Sequence, residues 1–276
     1  YASLQLERDE AENQRDYMKW LKMLIAPGGS LGGARPKASV LDENGYPWIA
    51  KFPSNKDEIN IGRWEFLVHD LAQKAGIDTA TAEIKNFSSD YDTFLTRRFD
   101  RMEGGERIHF ASAMTLLGKK DGDGADTGVS YLDLAAFLMK NGSQANKDLE
   151  QLWRRIVFFV CVSNTDDHLR NHGFLLTQQG WALSPAYDMN PVATGGGLAL
   201  NISKDDNSPS LDLVRSVAPV FRISEARAEK IIDEVTGAVR TWPELAKRLK
   251  LPTREINLMK NAFRVVDLNK SNMQGD

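Results

Sequence analysis

The sequence is nearly free of cysteine: Cys161 is the only one in 276 residues, and it sits inside an apolar run. A single cysteine excludes an intrachain disulfide and any cysteine-rich zinc site, and it suits a reducing cytosol. In that run it reads as a small buried hydrophobe rather than a nucleophile. Histidine is scarce as well. The four histidines show no zinc-ligand spacing, so His168 is not read as a metal ligand. Long hydrophobic runs are missing: the stretch from Ile156 to Val162 falls far short of the ~18 residues that a membrane span needs. Charge of one sign is missing too. Lys+Arg of 35 against Asp+Glu of 38 gives −3, which indicates no bulk attraction to nucleic acid. The chain opens Tyr1-Ala2-Ser3-Leu4, without an initiator methionine or a charged-then-apolar leader. That reads as a portion of a longer protein, with no secretory signal in view.

An apolar share of 42% and a charged share of 26% describe a globular chain, long enough at 276 residues for two domains. Its most informative stretch is Asn164-Thr165-Asp166-Asp167-His168-Leu169-Arg170-Asn171, with Asp188 beyond a short apolar passage. Polar clusters of this kind are often plain solvated turns. Here, an acid and an amide on one turn with a second acid downstream are what phosphoryl transfer requires. Asp166 is the candidate to orient a hydroxyl nucleophile, and Asn171 and Asp188 are the candidate Mg²⁺ ligands.

Upstream, Ser30 to Ala38 forms a Gly/Pro loop in which Gly32, Gly33 and Ala34 let backbone N–H groups approach a phosphate closely. It lacks the Gly-Lys-Ser/Thr ending of a Walker A loop and is not GxGxxG. A hairpin follows, with Asp42 to Gly45 as its turn and Lys51 on the returning strand, where a lysine can reach a phosphate as a point charge. Glu65, on an amphipathic helix over 60–75, can pair with Lys51 as a strand lysine and helix glutamate do in kinases. Strands are expected near 81–84 and 94–99. The segment 119–130 reads as a mobile glycine-rich loop, whose Asp121, Asp123 and Asp126 fail the EF-hand pattern. Helices are expected over 131–140, 147–163, 224–240, 242–249 and 253–267, and another over 3–25. A hairpin runs from Gly173 to Leu183, and 192–215 reads as a flexible segment.

Taken in order, Ser30 to Lys37, Lys51 on its strand, Arg97-Arg98-Phe99-Asp100-Arg101, and Thr165 to Asn171 with Tyr187-Asp188 make the chain resemble the HipA family, the kinase toxins of bacterial toxin–antitoxin pairs. The resemblance implies an α+β, bilobal protein-kinase-like fold, with a β-rich N-lobe over 1–100 and a mainly helical C-lobe over 101–276. It implies an ATP- and Mg²⁺-dependent serine/threonine protein kinase that autophosphorylates Ser30, and a cytoplasmic location. Its ATP site would comprise Gly32, Gly33, Ala34, Arg35, Lys37, Lys51, Arg97, Phe99, His168, Arg170, Asn171, Tyr187 and Asp188. Arg97 and Phe99 would lie at the adenine edge, and His168 and Arg170 beside the phosphates. The implied partners are a protein substrate, such as a translation component, and a HipB-like DNA-binding antitoxin; DNA contact would be indirect, with no membrane partner. The N-terminal domain with which the family helps to hold its antitoxin is not in this sequence. Asp167 stands where the family often has glycine, so a second carboxylate adjoins the catalytic candidate. Two other readings share the residues: a small-molecule kinase of the aminoglycoside or choline type, and an inactive kinase-fold co-repressor bound to an antitoxin.

Overall fold

The computed structural model describes residues 35–87, 90–102 and 105–266. The helix expected over 3–25, Ser30, and the glycine loop through Ala34 lie outside the described residues. Two compact units are present. The first takes the described residues up to Leu67 with Ala80–Glu106; the second takes Val68–Thr79 with the residues from Arg107 onward. Residues 68–79, the second half of a helix and its exit, group with the second unit.

In the first unit, β1 (Lys37–Leu41) and β2 (Pro47–Lys51) form the expected hairpin. Its turn is built by Asp42, whose carboxylate accepts the backbone N–H of Asn44 and of Tyr46, both at 2.9 Å, while Gly45 takes φ +80°. With β3 (Ala82–Lys85) and β4 (Thr93–Arg97) the sheet has the order β1-β2-β4-β3, every pair antiparallel. Helix α1 (Ile61–Lys74) follows the hairpin. Asn60 caps it: its Oδ1 accepts from Arg63 N at 3.1 Å, and its Nδ2 donates to the buried Asp92 carboxylate at 2.9 Å. Glycine is required at position 62, since a Cβ there would lie 2.3 Å from the Asp92 carbonyl oxygen.

The second unit is mainly helical. Its strands β5 (Phe110–Ser112), β6 (Gly173–Thr177) and β7 (Gly180–Leu183) form a small antiparallel sheet in that order. Its helices are α2 (Ala113–Leu116), α3 (Tyr131–Asn141), α4 (Ala145–Val162), α5 (Leu211–Val217), α6 (Glu225–Val239), α7 (Trp242–Arg248) and α8 (Thr253–Met259). The helix expected over 253–267 is interrupted: it tightens after Met259 into a 3₁₀ turn at Lys260–Phe263 and is helical again over 264–266. The segment 192–215 is not the flexible stretch that its glycines and aspartates suggested. Leu198, Leu200 and Ile202 are buried in it, and Ser210 caps α5 by accepting from Leu213 N at 3.3 Å.

Helix α4 is buried along its C-terminal length, as its apolar composition requires, and its two arginines are buried with it. Arg154 donates to Ala75 O at 2.8 Å and pairs with Glu234; Arg155 donates to Ser184 O at 2.5 Å. Burial pushes the Arg155 guanidinium down to about 10, still charged at neutral pH. Among the described residues no helix is long and apolar enough to cross a membrane.

Cys161 lies in the last turn of this helix, fully buried, and burial pushes its thiol up to about 12. A thiol-specific reagent at pH 8 should leave the native protein unmodified and label one equivalent after denaturation. Rapid labelling of native protein would mean that α4 opens on the timescale of the assay.

Candidate functional site

Within the first unit, the side chains of Lys51 and Glu65 form the ion pair that the sequence led us to expect, with 10% and 4% of each side chain exposed. The ammonium also stands 5.7 Å from the centre of the Phe94 ring. The register puts Lys37 directly opposite Lys51, so the two lysines point to the same face of the sheet. The Arg35 guanidinium holds Asp57 and donates to Phe52 O at 3.3 Å. Arg97 ends β4 with its guanidinium 4.0 Å from the centre of the Tyr46 ring. Beyond it, half-buried Phe99 precedes Asp100, which Arg98 and Arg101 both bind. Burial pushes the Asp100 carboxyl up, but these two arginines outweigh it and hold the group below its ordinary range.

In the second unit, α4 ends at Ser163 in the left-handed conformation, φ +50°. Ser163 Oγ donates to Ala262 O at 2.8 Å, which fixes where the polar turn begins. The turn then alternates. Asp166 is exposed, and among the described residues its carboxylate takes no hydrogen bond, whereas Asp167 is 1% exposed. This resolves the doubled carboxylate. Asp167 Oδ2 accepts from the Tyr131 hydroxyl at 2.8 Å and from His172 Nε2 at 2.6 Å, so it belongs to the core and Asp166 to the surface. Asn171 is buried; its Nδ2 donates to Asp166 O at 3.0 Å, and its Oδ1 takes no hydrogen bond among the described residues.

The segment carrying Asp188 is laced to this turn. The Tyr187 hydroxyl donates to Arg170 O at 2.7 Å, Asn190 N to Asn164 Oδ1 at 3.3 Å, and Val192 N to Ser163 O at 3.1 Å. Asp188 sits among these contacts at φ +58°, a left-handed conformation unusual for a residue with a side chain. Burial and then the Asp188 charge push the Tyr187 phenol upward, so it remains a donor. Gly195 lets its backbone approach the turn: a Cβ there would lie 2.5 Å from the Thr165 side chain.

His168 and Arg170 line a cavity of about 310 Å³ together with Asp121, Gly124 and Leu198. Arg170 is paired with Asp121 at 2.6 Å on the surface, and His168 Nδ1 is buried without a hydrogen-bond partner. Three roles escaped the sequence reading: that of the buried Tyr131–Asp167–His172 set and those of the amides Asn164 and Asn190. An amide two residues past an apolar helix end was the available signal for Asn164.

The oxygens present suit a hard cation. Among the described residues no three His, Cys, Asp or Glu side chains gather as a metal site. Magnesium asks for less from the protein, one or two carboxylates with substrate oxygens and water. Asp188 and the unbonded Asn171 oxygen are of that kind, and Asn190, two residues after Asp188, has a buried Oδ1 without a hydrogen-bond partner.

The profile of the HipA-like C-terminal domain matches residues 29–242. The chain belongs to that family. It is 29% identical over 148 residues to the serine/threonine-protein kinase toxin HipA of Shewanella oneidensis, covering 46% of this chain and 33% of the toxin. It is 24% identical over 184 residues to a Haemophilus influenzae protein with a provisional kinase name, covering 60% of this chain and 53% of that protein. The chain thus spans about half the length of the Haemophilus relative and a third of the Shewanella one. Its structure is similar to HipA of Shewanella oneidensis solved with HipB and operator DNA, at a TM-score of 0.68 and 18% identity over 91% of this chain and 68% of the toxin. This HipA-like chain therefore has the mixed α+β kinase-type fold.

The Lys51–Glu65 pair makes a stability prediction for the HipA-like first unit. Lys51→Met takes the ion-pair partner from a buried carboxylate and should cost about 3–5 kcal/mol, whereas Lys51→Met with Glu65→Leu should recover most of that loss. Chemical denaturation of both variants decides it; a double variant as unstable as Lys51→Met would mean that the loss does not come from the carboxylate left behind.

Proposed function

We propose that this chain is the ATP- and Mg²⁺-dependent serine/threonine protein kinase portion of a HipA-type toxin. The observation that carries the reading is the turn at 164–171: an exposed, unbonded Asp166 carboxylate on the same turn as an Asn171 whose amide nitrogen is anchored to the Asp166 carbonyl. Asp166 accepts the proton of the substrate hydroxyl and aims its oxygen. Asn171 and Asp188 would hold Mg²⁺, which when bound offsets the negative charge of the phosphate oxygens.

Lys51, tethered by Glu65, serves as a point charge for those oxygens, with Lys37 on the same sheet face. The remaining assignments rest on the family resemblance. Gly32, Gly33 and Ala34 cradle phosphates with Arg35; Arg97 and Phe99 border the adenine; His168 and Arg170 stand beside the phosphates. Tyr187 positions Asp188 through its bond to Arg170 O. Ser30 is the autophosphorylation site, where a phosphate adds roughly −1.5 to −2 charge and repels ATP. Since the Shewanella HipA was solved with HipB and operator DNA, we extend to this chain a HipB-like antitoxin as partner. Its acceptor is a protein, such as a translation component, and its location is the cytoplasm.

The test uses radiolabelled ATP. Asp166→Asn should retain Mg·ATP binding and lose transfer by about 10³-fold, within the range for removal of a positioned base. Label should appear on the protein itself and vanish in Ser30→Ala. Undiminished turnover in Asp166→Asn would remove the mechanism, and label appearing only on a small-molecule acceptor would replace the protein-kinase reading.

A further inference from the structure

The turn that carries Asp166 and Asn171 is closed by two rungs, one above the other. Asn171 Nδ2 donates to Asp166 O at 3.0 Å, and one residue further on at each end His172 Nε2 contacts Asp167 Oδ2 at 2.6 Å. The first rung lies beside the reacting groups. The second lies in the core, with both side chains 1% exposed. A carboxylate can only accept, so the His172 proton sits on Nε2.

The lower rung has an outside anchor. Tyr131, the first residue of α3, donates its hydroxyl to the same Oδ2 at 2.8 Å. Tyr131 is fully buried, and burial together with the Asp167 charge pushes its phenol well above the ordinary range, so it donates and never competes as an anion. Its own backbone N–H is bonded to Asn201 O at 2.9 Å. The His172 ring is wedged edge-on between Tyr131, at 5.7 Å and 80°, and Phe159 of α4, at 6.2 Å and 69°. One oxygen thus receives two donors from different elements, and both ends of the turn are held by it.

We infer that Tyr131, Asp167 and His172 are positioning residues for phosphoryl transfer, acting through the turn to fix the Asp166 carboxylate and the Asn171 amide. None of the three is proposed to touch substrate. The inference rests on the kinase reading for its catalytic consequence but not for its structural one. Small misplacement of reacting groups costs up to about 10²-fold in rate. A buried acceptor that loses one of two donors moves toward the donor that remains. Removing the Tyr131 hydroxyl should therefore shift the turn without unfolding it.

The experiment compares Tyr131→Phe, Asp167→Asn and their combination with wild type in the full chain. Tyr131→Phe should lower kcat by about 10- to 100-fold while KM for ATP stays within about threefold. The double variant should be no worse than Asp167→Asn alone, because both break one network. Hydrogen exchange should quicken at the amides of 164–172 and stay unchanged in α6. Wild-type kcat in Tyr131→Phe, or losses that multiply in the double variant, would overturn the inference. So would unchanged exchange over 164–172. If Asp167→Asn fails to fold, Tyr131→Phe alone decides through the kcat-to-KM split. If the wild-type protein transfers no phosphate, the kinase reading falls, and the exchange at 164–172 still decides whether the set positions the turn.

Discussion

A helix buried on every side can end only where its last carbonyls find partners inside the protein. At the end of α4, Ser163 turns left-handed, its N–H bonds back to Phe159 O, and its hydroxyl reaches Ala262 O. Its own carbonyl then accepts from Thr165 N and Val192 N. One residue thus stops the helix, starts the polar turn and receives the segment that carries Asp188. Through it the hydrophobic energy that places α4 is converted into the position of a hydrophilic loop. An exposed loop with no such buried root would follow solvent rather than geometry.

That root also explains how adjacent carboxylates have opposite assignments. Asp166 and Asp167 are chemically alike, and only their environments separate them. Asp167 faces α3 and α4, where two donors compensate for its desolvation; Asp166 faces water and keeps its lone pairs uncommitted. A buried charge without those donors would cost several kcal/mol. Glycine at position 167, which the resemblance led us to expect, would leave Tyr131 and His172 without an acceptor in the core. Tyrosine, aspartate and histidine are therefore one structural feature spread over two elements.

Much of this was legible in the sequence. The period-two strands, the capped amphipathic helices and the apolar C-terminal half of α4 declared themselves because local pattern and tertiary placement agree there. The Lys51–Glu65 pairing was legible for a different reason, by analogy with the strand lysine and helix glutamate that kinases pair. What stayed hidden depends on contacts between residues far apart in the chain. Nothing near Tyr131 announces an aspartate at 167, and nothing in the 192–215 composition reveals that Leu198, Leu200 and Ile202 are core residues. Short elements were also missed, among them β5 and α5, because three to seven residues carry too little periodicity to register.

The conformation of Asp188 draws these threads together. A side-chain-bearing residue in the left-handed region costs on the order of 1–3 kcal/mol and persists only where its neighbours leave no alternative. Here the approach is pinned at Ser184 by Arg155, at Ala186 by the Asp78 carbonyl and at Tyr187 by the Arg170 carbonyl. The exit is pinned at Asn190 and Val192 by Asn164 and Ser163. Arg155 is an expensive member of that list, for it is buried with Nε unbonded. A leucine in its place would serve the core of α4 at least as well, but it could not hold the Ser184 carbonyl. The buried arginine is thus better explained by the strained carboxylate four residues beyond that carbonyl than by the stability of the helix that carries it.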